Sequence, residues 1–254
     1  MLWYKSFLET RSRFLIGLTL LLFSALGAVL AYPRVVALLP LVPTANATGE
    51  LGRRIREGAE LMRDYRGYIW GQWLRQSMTN LLSFFAVLLG AGGLLSRGSG
   101  GTLFTMSLPI SRNELLGARA ATCLVELAVL SFAPPLLVPM LSPAVGASYG
   151  VGDAIAHGVC FFLGATVLFS MTSLLSTVFT DTWRPILIAC AFAATVGIIE
   201  PFLGAGSRYG LFGTMDGELY FRGDGLPWLG LLASAAVSAA MLFVASRNLA
   251  RQDF

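Results

Sequence analysis

The chain carries one histidine and one lysine among 254 residues, and that scarcity decides most of the chemistry it could host. A phosphate-cradling GxxxxGK[ST] loop needs a lysine to reach the phosphates. The only lysine is Lys5, so the glycine-rich run GAGGLLSRGSGG, residues 90–101, is no nucleotide loop. It reads as close helix packing followed by a flexible exit from a membrane. His157 stands alone, which excludes an HExxH site or a multi-histidine metal cluster. A hydrolase built on His157 with a serine and an acid is set aside in favour of an ordinary histidine near a helix start. Cys123, Cys160 and Cys190 fall inside apolar segments and read as small buried residues, with no disulfide or metal framework. Glu126 is the sharpest oddity, because a carboxyl group deep in an apolar segment is costly and must face protein or water. It is either a point on a substrate or ion pathway or a hydrogen bond locking helices, to a Ser or Thr of the fourth or fifth span; the structural role is preferred.

The elements that hold these residues follow from composition. With 56% hydrophobic and 13% charged residues, the chain is an integral membrane protein. Spans of about 20 apolar residues are expected at Phe14–Ala31, Met78–Leu95, Leu115–Leu141, Ala154–Phe179, Ile186–Leu203 and Leu226–Ala245. The first lies behind Lys5, Arg11 and Arg13 and has no small-residue cleavage site before Pro33, so it reads as a retained helix and not a signal peptide. Six spans put both termini on one side. Lys5, Arg11, Arg13, Arg97, Arg112, Arg119, Arg184, Arg247 and Arg251 argue for the cytoplasm, against Arg208 and Arg222 and the seven arginines of the longest loop. Acids interleave with those seven, so cytoplasmic termini are preferred. One lysine against seventeen arginines points to a bacterial inner membrane, and the triplet Asn46-Ala47-Thr48 is given no glycosylation role.

Around the spans, Trp3, Phe7 and Phe14 recur at helical spacing and predict a short amphipathic helix on the membrane surface over the first 13 or so residues. The outer loop, residues 32–76, opens irregularly at Pro33, Pro40 and Pro43. From Leu51 to Trp73 its apolar residues recur every third or fourth position, predicting an interfacial or lid helix with Tyr65, Tyr68, Trp70 and Trp73 in the headgroup zone. Pro134-Pro135, Pro139 and Pro143 predict that the third span kinks or ends within the membrane. Residues 200–227, with Glu218, Arg222 and Asp224, read as an outer loop that dips partly into the bilayer, and Trp228 marks the interface.

The stretch GTLFTMSLPISRNELLGARA, residues 101–120, is too polar to span and too ordered to be slack. Gly100-Gly101 end one helix, Thr102 caps a new one at Leu103, and Pro109 stops it within about a turn and a half. Ser111-Arg112-Asn113-Glu114 is then a capping box for the third span. A helix so short is unstable alone, so a partner must pack on Leu103, Phe104 and Leu108.

In these residues the chain resembles the membrane subunits of ATP-binding cassette exporters of the second permease class, the ABC-two family. The family's run G-T-L-E, then L-P-[IV]-S-R, then an acid, is matched by Gly101, Thr102, Leu103, Leu108, Pro109, Ile110, Ser111, Arg112 and Glu114. Phe104 departs, standing where an acid is usual, and the ending NLARQDF is similar to a tail common there. The resemblance implies an all-α integral membrane protein: one permease domain over 1–254, with six transmembrane helices, an amphipathic N-terminal helix, a short cytoplasmic coupling helix and a long first outer loop. Thr102, Leu103, Phe104, Leu108, Pro109, Ser111, Arg112 and Glu114 would dock a separate cytoplasmic ATPase, which would bind the ATP and Mg; this chain would hold no cofactor and be no enzyme. The implied partners are that ATPase, a second or sister permease and the lipid bilayer, with no nucleic acid. Two alternatives remain: an ATP-independent membrane enzyme or secondary transporter using Glu126, His157 and Glu200, or a permease that passes mechanical work to a periplasmic partner.

Overall fold

The computed structural model describes residues 2–38, 58, 60–91, 112–179 and 181–250, and among them every regular element is helical. The long helices are α1 (Leu2–Leu38), α4 (Arg112–Leu141), α5 (Val151–Val178), α6 (Trp183–Ile199) and α9 (Trp228–Ala250). These elements contain five stretches long and apolar enough to cross a membrane. Between α1 and α4, α2 (Tyr65–Tyr68) runs into a π-helix (Ile69–Met78) and that into α3 (Thr79–Gly90). Between α6 and α9 come a 3-10 helix (Glu200–Tyr209), α7 (Leu211–Met215) and α8 (Glu218–Arg222).

The predicted amphipathic start and first span are one 37-residue helix, α1. Nothing between Trp3 and Phe14 breaks it, and its polar side is useful against protein. Ser6 and Thr10 are buried, whereas Trp3 and Phe7 are exposed. The inversion fits a helix whose outer surroundings are apolar. Pro33, expected in irregular chain, lies inside α1. Proline costs that turn one hydrogen bond, and the turn is held by Tyr32, whose ring meets those of Tyr65 and Tyr68 at 4.7 and 5.2 Å.

Residues 65–90 run antiparallel to α1 along its length. Tyr68 donates to the Ala28 carbonyl at 3.1 Å, Trp73 Nε1 to Ser24 Oγ at 3.1 Å, and Arg13 to the Leu88 carbonyl at 2.7 Å. This corrects the interfacial-helix expectation: Tyr65, Tyr68, Trp70 and Trp73 are core residues, all buried. Asp64 interrupts that expected helix, accepting from Gly67 N at 3.3 Å as the cap of α2. The second span also ends sooner than expected, at Gly90, with Ala91 extended (φ −81°, ψ 127°).

α5 is the axis of the bundle. Its most apolar window is 61% buried, against 11% for α6, which lies at the rim. α3, α4 and α9 all pack on α5, and small residues permit the approach. A Cβ on Gly90 would stand 2.5 Å from the Phe169 carbonyl oxygen, so α3 and α5 meet backbone to backbone there. α4 does not end at Pro134, Pro135 or Pro139, one of the two outcomes expected of them, and gives way at Leu141 to a 3-10 turn (Ser142–Val145) that holds Pro143. At the end of α4, Ser142 Oγ donates back to the Val138 carbonyl at 2.7 Å.

Candidate functional site

At the end of the bundle where α1 begins, the polar face of α1 makes a seam with α3 and α4. Thr10 Oγ donates to Glu126 Oε1 at 2.6 Å, and Arg119 pairs with Glu9 at 3.7 Å. Glu126 is thus tied to the first helix and not to a Ser or Thr of the fourth or fifth span. Arg13 donates to the carbonyls of Leu88 and Ala91, putting a cation on the C-terminal end of α3, where the helix dipole favours one. Thr102, Leu103, Phe104, Leu108, Pro109 and Ser111 lie outside the described residues. Arg112 and Glu114 lie at the start of the described part of α4, and the capping-box reading, which needs Ser111, falls outside the described residues.

The other ionisable groups singled out in the sequence do not join Glu126. His157 is buried; its Nδ1 lies 2.8 Å from the Asp153 carbonyl, and its ring stands edge-on to Tyr220 at 5.6 Å. The Asp153 carboxylate is taken by Tyr220 Oη at 2.9 Å and Arg66 at 3.3 Å. Glu200 caps α7, accepting from Phe212 N at 2.9 and 3.1 Å and from Gly213 N at 3.3 Å. Among the described residues, no three of His, Cys, Asp and Glu gather into a set able to hold a metal ion. Cys123 and Cys160 are buried as expected, but Cys190 is only partly so.

One motif escapes the sequence reading. Gly146-Ala147-Ser148-Tyr149-Gly150 fits the GxSxG nucleophile pattern just before His157. Its context is wrong, since the elbow needs a strand running into a helix; here a 3-10 turn precedes it, and exposed Ser148 makes no hydrogen bond to buried His157.

The site that stands out lies elsewhere. Residues 211–222 fold back into the bundle, with Met215 fully buried against Gly164 of α5, where a Cβ would come within 2.9 Å of the Met215 Cβ. Beside this segment, α3, α6, the start of the 3-10 helix and α7 enclose a cavity of about 540 Å³. Its apolar wall includes Phe84, Val87, Ala193 and Ile198, and its polar end Arg75, Thr79 and Asp216. Phe84 and Ile198 are themselves well exposed, so the cavity opens sideways between α3 and α6.

Asp216 is the group at the polar end that sequence reasoning missed. Trp70, stacked on Phe221 at 4.2 Å and 3°, donates from Nε1 to the Asp216 carbonyl at 3.0 Å and fixes its backbone. Its Oδ1 lies 2.5 Å from Thr79 Oγ, and its Oδ2 lies 3.8 Å from Arg75 Nε, too far for a hydrogen bond. Thr79 Oγ also lies 2.9 Å from the Leu74 carbonyl, at the junction of the π-helix and α3. A hydroxyl has one proton, so both contacts are satisfied together only when Asp216 is protonated and donates to Thr79. Burial, which disfavours the charge more than Thr79 and Arg75 favour it, pushes the Asp216 carboxyl up to about 7, in agreement with that proton count. The only sequence signal was an acid between Met215 and Gly217 in a turn-rich stretch, which resembles any solvated loop. No family model, curated protein or solved structure matches the chain.

Proposed function

We propose that this chain is one half of the membrane domain of an ATP-binding cassette exporter or extruder, paired with a second copy or a sister permease and driven by a separate cytoplasmic ATPase. Residues 65–90 form a sixth crossing in this reading, which their antiparallel run against α1 supports, and they bring both termini to the cytoplasmic face of a bacterial inner membrane. Residues 102–111 are the docking element, and ATP hydrolysis occurs outside this chain.

The observation that carries the reading is the seam at the start of α1. Residues 92–111 leave from Ala91 and return at Arg112. Arg13 holds Ala91, while Glu9 and Thr10, one helical turn earlier, hold Arg119 and Glu126 of α4. Both roots of the docking stretch are therefore bound to one face of α1. A push on that stretch moves α1, α3 and α4 together, which is what a coupling element requires.

The test is to replace Leu103 and Phe104 with Asp and measure how much ATPase co-purifies. Charged side chains in an apolar dock should abolish co-purification while leaving the permease in the membrane fraction; undiminished ATPase would remove the docking assignment.

A further inference from the structure

We propose that the cavity between α3 and α6 binds an amphiphile whose head is a protonated amine, with Asp216 as its counter-charge. The proposal names a cargo class for the pathway suggested above and rests on that reading for its biological role. Binding itself needs only this chain.

Three features select the ligand. First, the cavity's long wall is apolar and its mouth lies between exposed Phe84 and Ile198, on a surface that lipid would cover, so an apolar tail can enter from the bilayer. Second, the polar end has three acids, Asp216, Glu200 and Glu218, against Arg75. Glu200 is occupied by backbone N–H groups and Glu218 by Arg222 at 2.6 Å, which leaves Asp216 as the acid with bonding capacity to spare. Third, its nearest cation is loosely held: Arg75 is half-exposed, lies over the Trp70 ring at 5.4 Å and approaches Oδ2 only to 3.8 Å. An ammonium group with three donors can reach Oδ2 from the cavity, while Arg75 keeps its place on Trp70.

Binding would also change the protein. An ammonium beside Asp216 favours the carboxylate, whose proton leaves to solvent. Thr79 then turns its hydroxyl hydrogen bond from the Leu74 carbonyl, which keeps the Thr79 N–H, to Asp216, so occupancy is registered at the junction of the π-helix and α3.

The purified full chain in lipid nanodiscs provides the test, with Cys190 as reporter. Cys190 lines the cavity and is partly exposed, whereas Cys123 and Cys160 are buried. Maleimide labelling of Cys190 is followed while dodecylamine, dodecanol or dodecanoic acid is added. Dodecylamine should protect Cys190 at concentrations at least tenfold below those needed for the alcohol or the acid. Asp216→Asn should remove that preference while leaving protection by dodecanol unchanged. Should Asp216→Asn fail to fold, Ala194→Trp, which fills the exposed mouth, should block protection by the amine. Equal protection by amine and alcohol would overturn the proposal, as would Cys190 protection that depends on protein concentration and ignores the amine, the mark of a second copy seated over the cavity. Undiminished ATPase co-purification with the Leu103→Asp, Phe104→Asp variant, with amine binding intact, would refute the docking on which the exporter reading rests and leave the cavity proposal standing.

Discussion

Replacing Asp216 with asparagine should flatten the pH dependence of stability and make the protein more stable above neutral pH. In the folded chain this carboxyl titrates at about 7 instead of its ordinary 3.8, chiefly because burial penalises the charge. Asp216 is 8% exposed, lies outside the five apolar spans, and is faced by Arg75, Glu200 and Glu218 as well as Thr79. Between the two values the folded state holds a proton that an unfolded aspartate has lost, so stability falls as pH rises through that window and is flat above it. At about 1.4 kcal/mol per pH unit, and roughly 3 units between the values, the loss is on the order of 4 kcal/mol. Chemical unfolding of wild type and Asp216→Asn in detergent micelles, from pH 4.5 to 8.5, reads the effect. The two should match at the acid end, with the variant more stable at pH 8.5 by a few kcal/mol. A variant as pH-dependent as wild type, or one less stable at pH 8.5, would refute the reasoning.

At the α1 seam, a Thr10→Val and Glu126→Leu double-mutant cycle should give a coupling of about 0.6–1.7 kcal/mol, the size of hydrogen bonds between membrane helices. Additivity in unfolding free energy would show that the 2.6 Å contact stabilises nothing. Gly90→Ala, which forces a methyl group against the Phe169 carbonyl where α3 and α5 meet, should cost about 1–3 kcal/mol in the same unfolding assay.

The long helices were legible because their apolar runs are unbroken and about the length a bilayer demands. Expected boundaries at Ala154–Phe179 and Leu226–Ala245 differ by a few residues from the observed α5 (Val151–Val178) and α9 (Trp228–Ala250). What covers a helix was not legible. Periodicity finds the apolar face of residues 51–73, but the wheel is the same whether that face meets headgroups or other helices. Burial of Trp73 depends on Ser24, 49 positions away, and the Glu126 bond on Thr10, 116 away. Pro33 misled in the same manner, since its cost is local while the packing of Tyr32 on Tyr65 and Tyr68 beside it is not. Asp216 was hidden because a lone acid among glycines carries no periodic signal, and only the return of residues 211–222 into the bundle distinguishes it from Asp224.

The two proposals meet on one helical stretch. Thr79, at the join of the π-helix and α3, responds to the charge on Asp216, and Gly90-Ala91, at the far end of α3, is held by Arg13 beside the departure of residues 92–111. Spatial continuity alone is no evidence of coupling; an element with two discrete arrangements is. Thr79 supplies one, because its single proton goes either to the Leu74 carbonyl or to Asp216. The intervening α3 is a single unbroken helix packed backbone to backbone on α5 at Gly90. A cargo that ionises Asp216 and an ATPase that moves residues 92–111 would therefore act on the two ends of the same lever, and each would bias the other by an equal free energy.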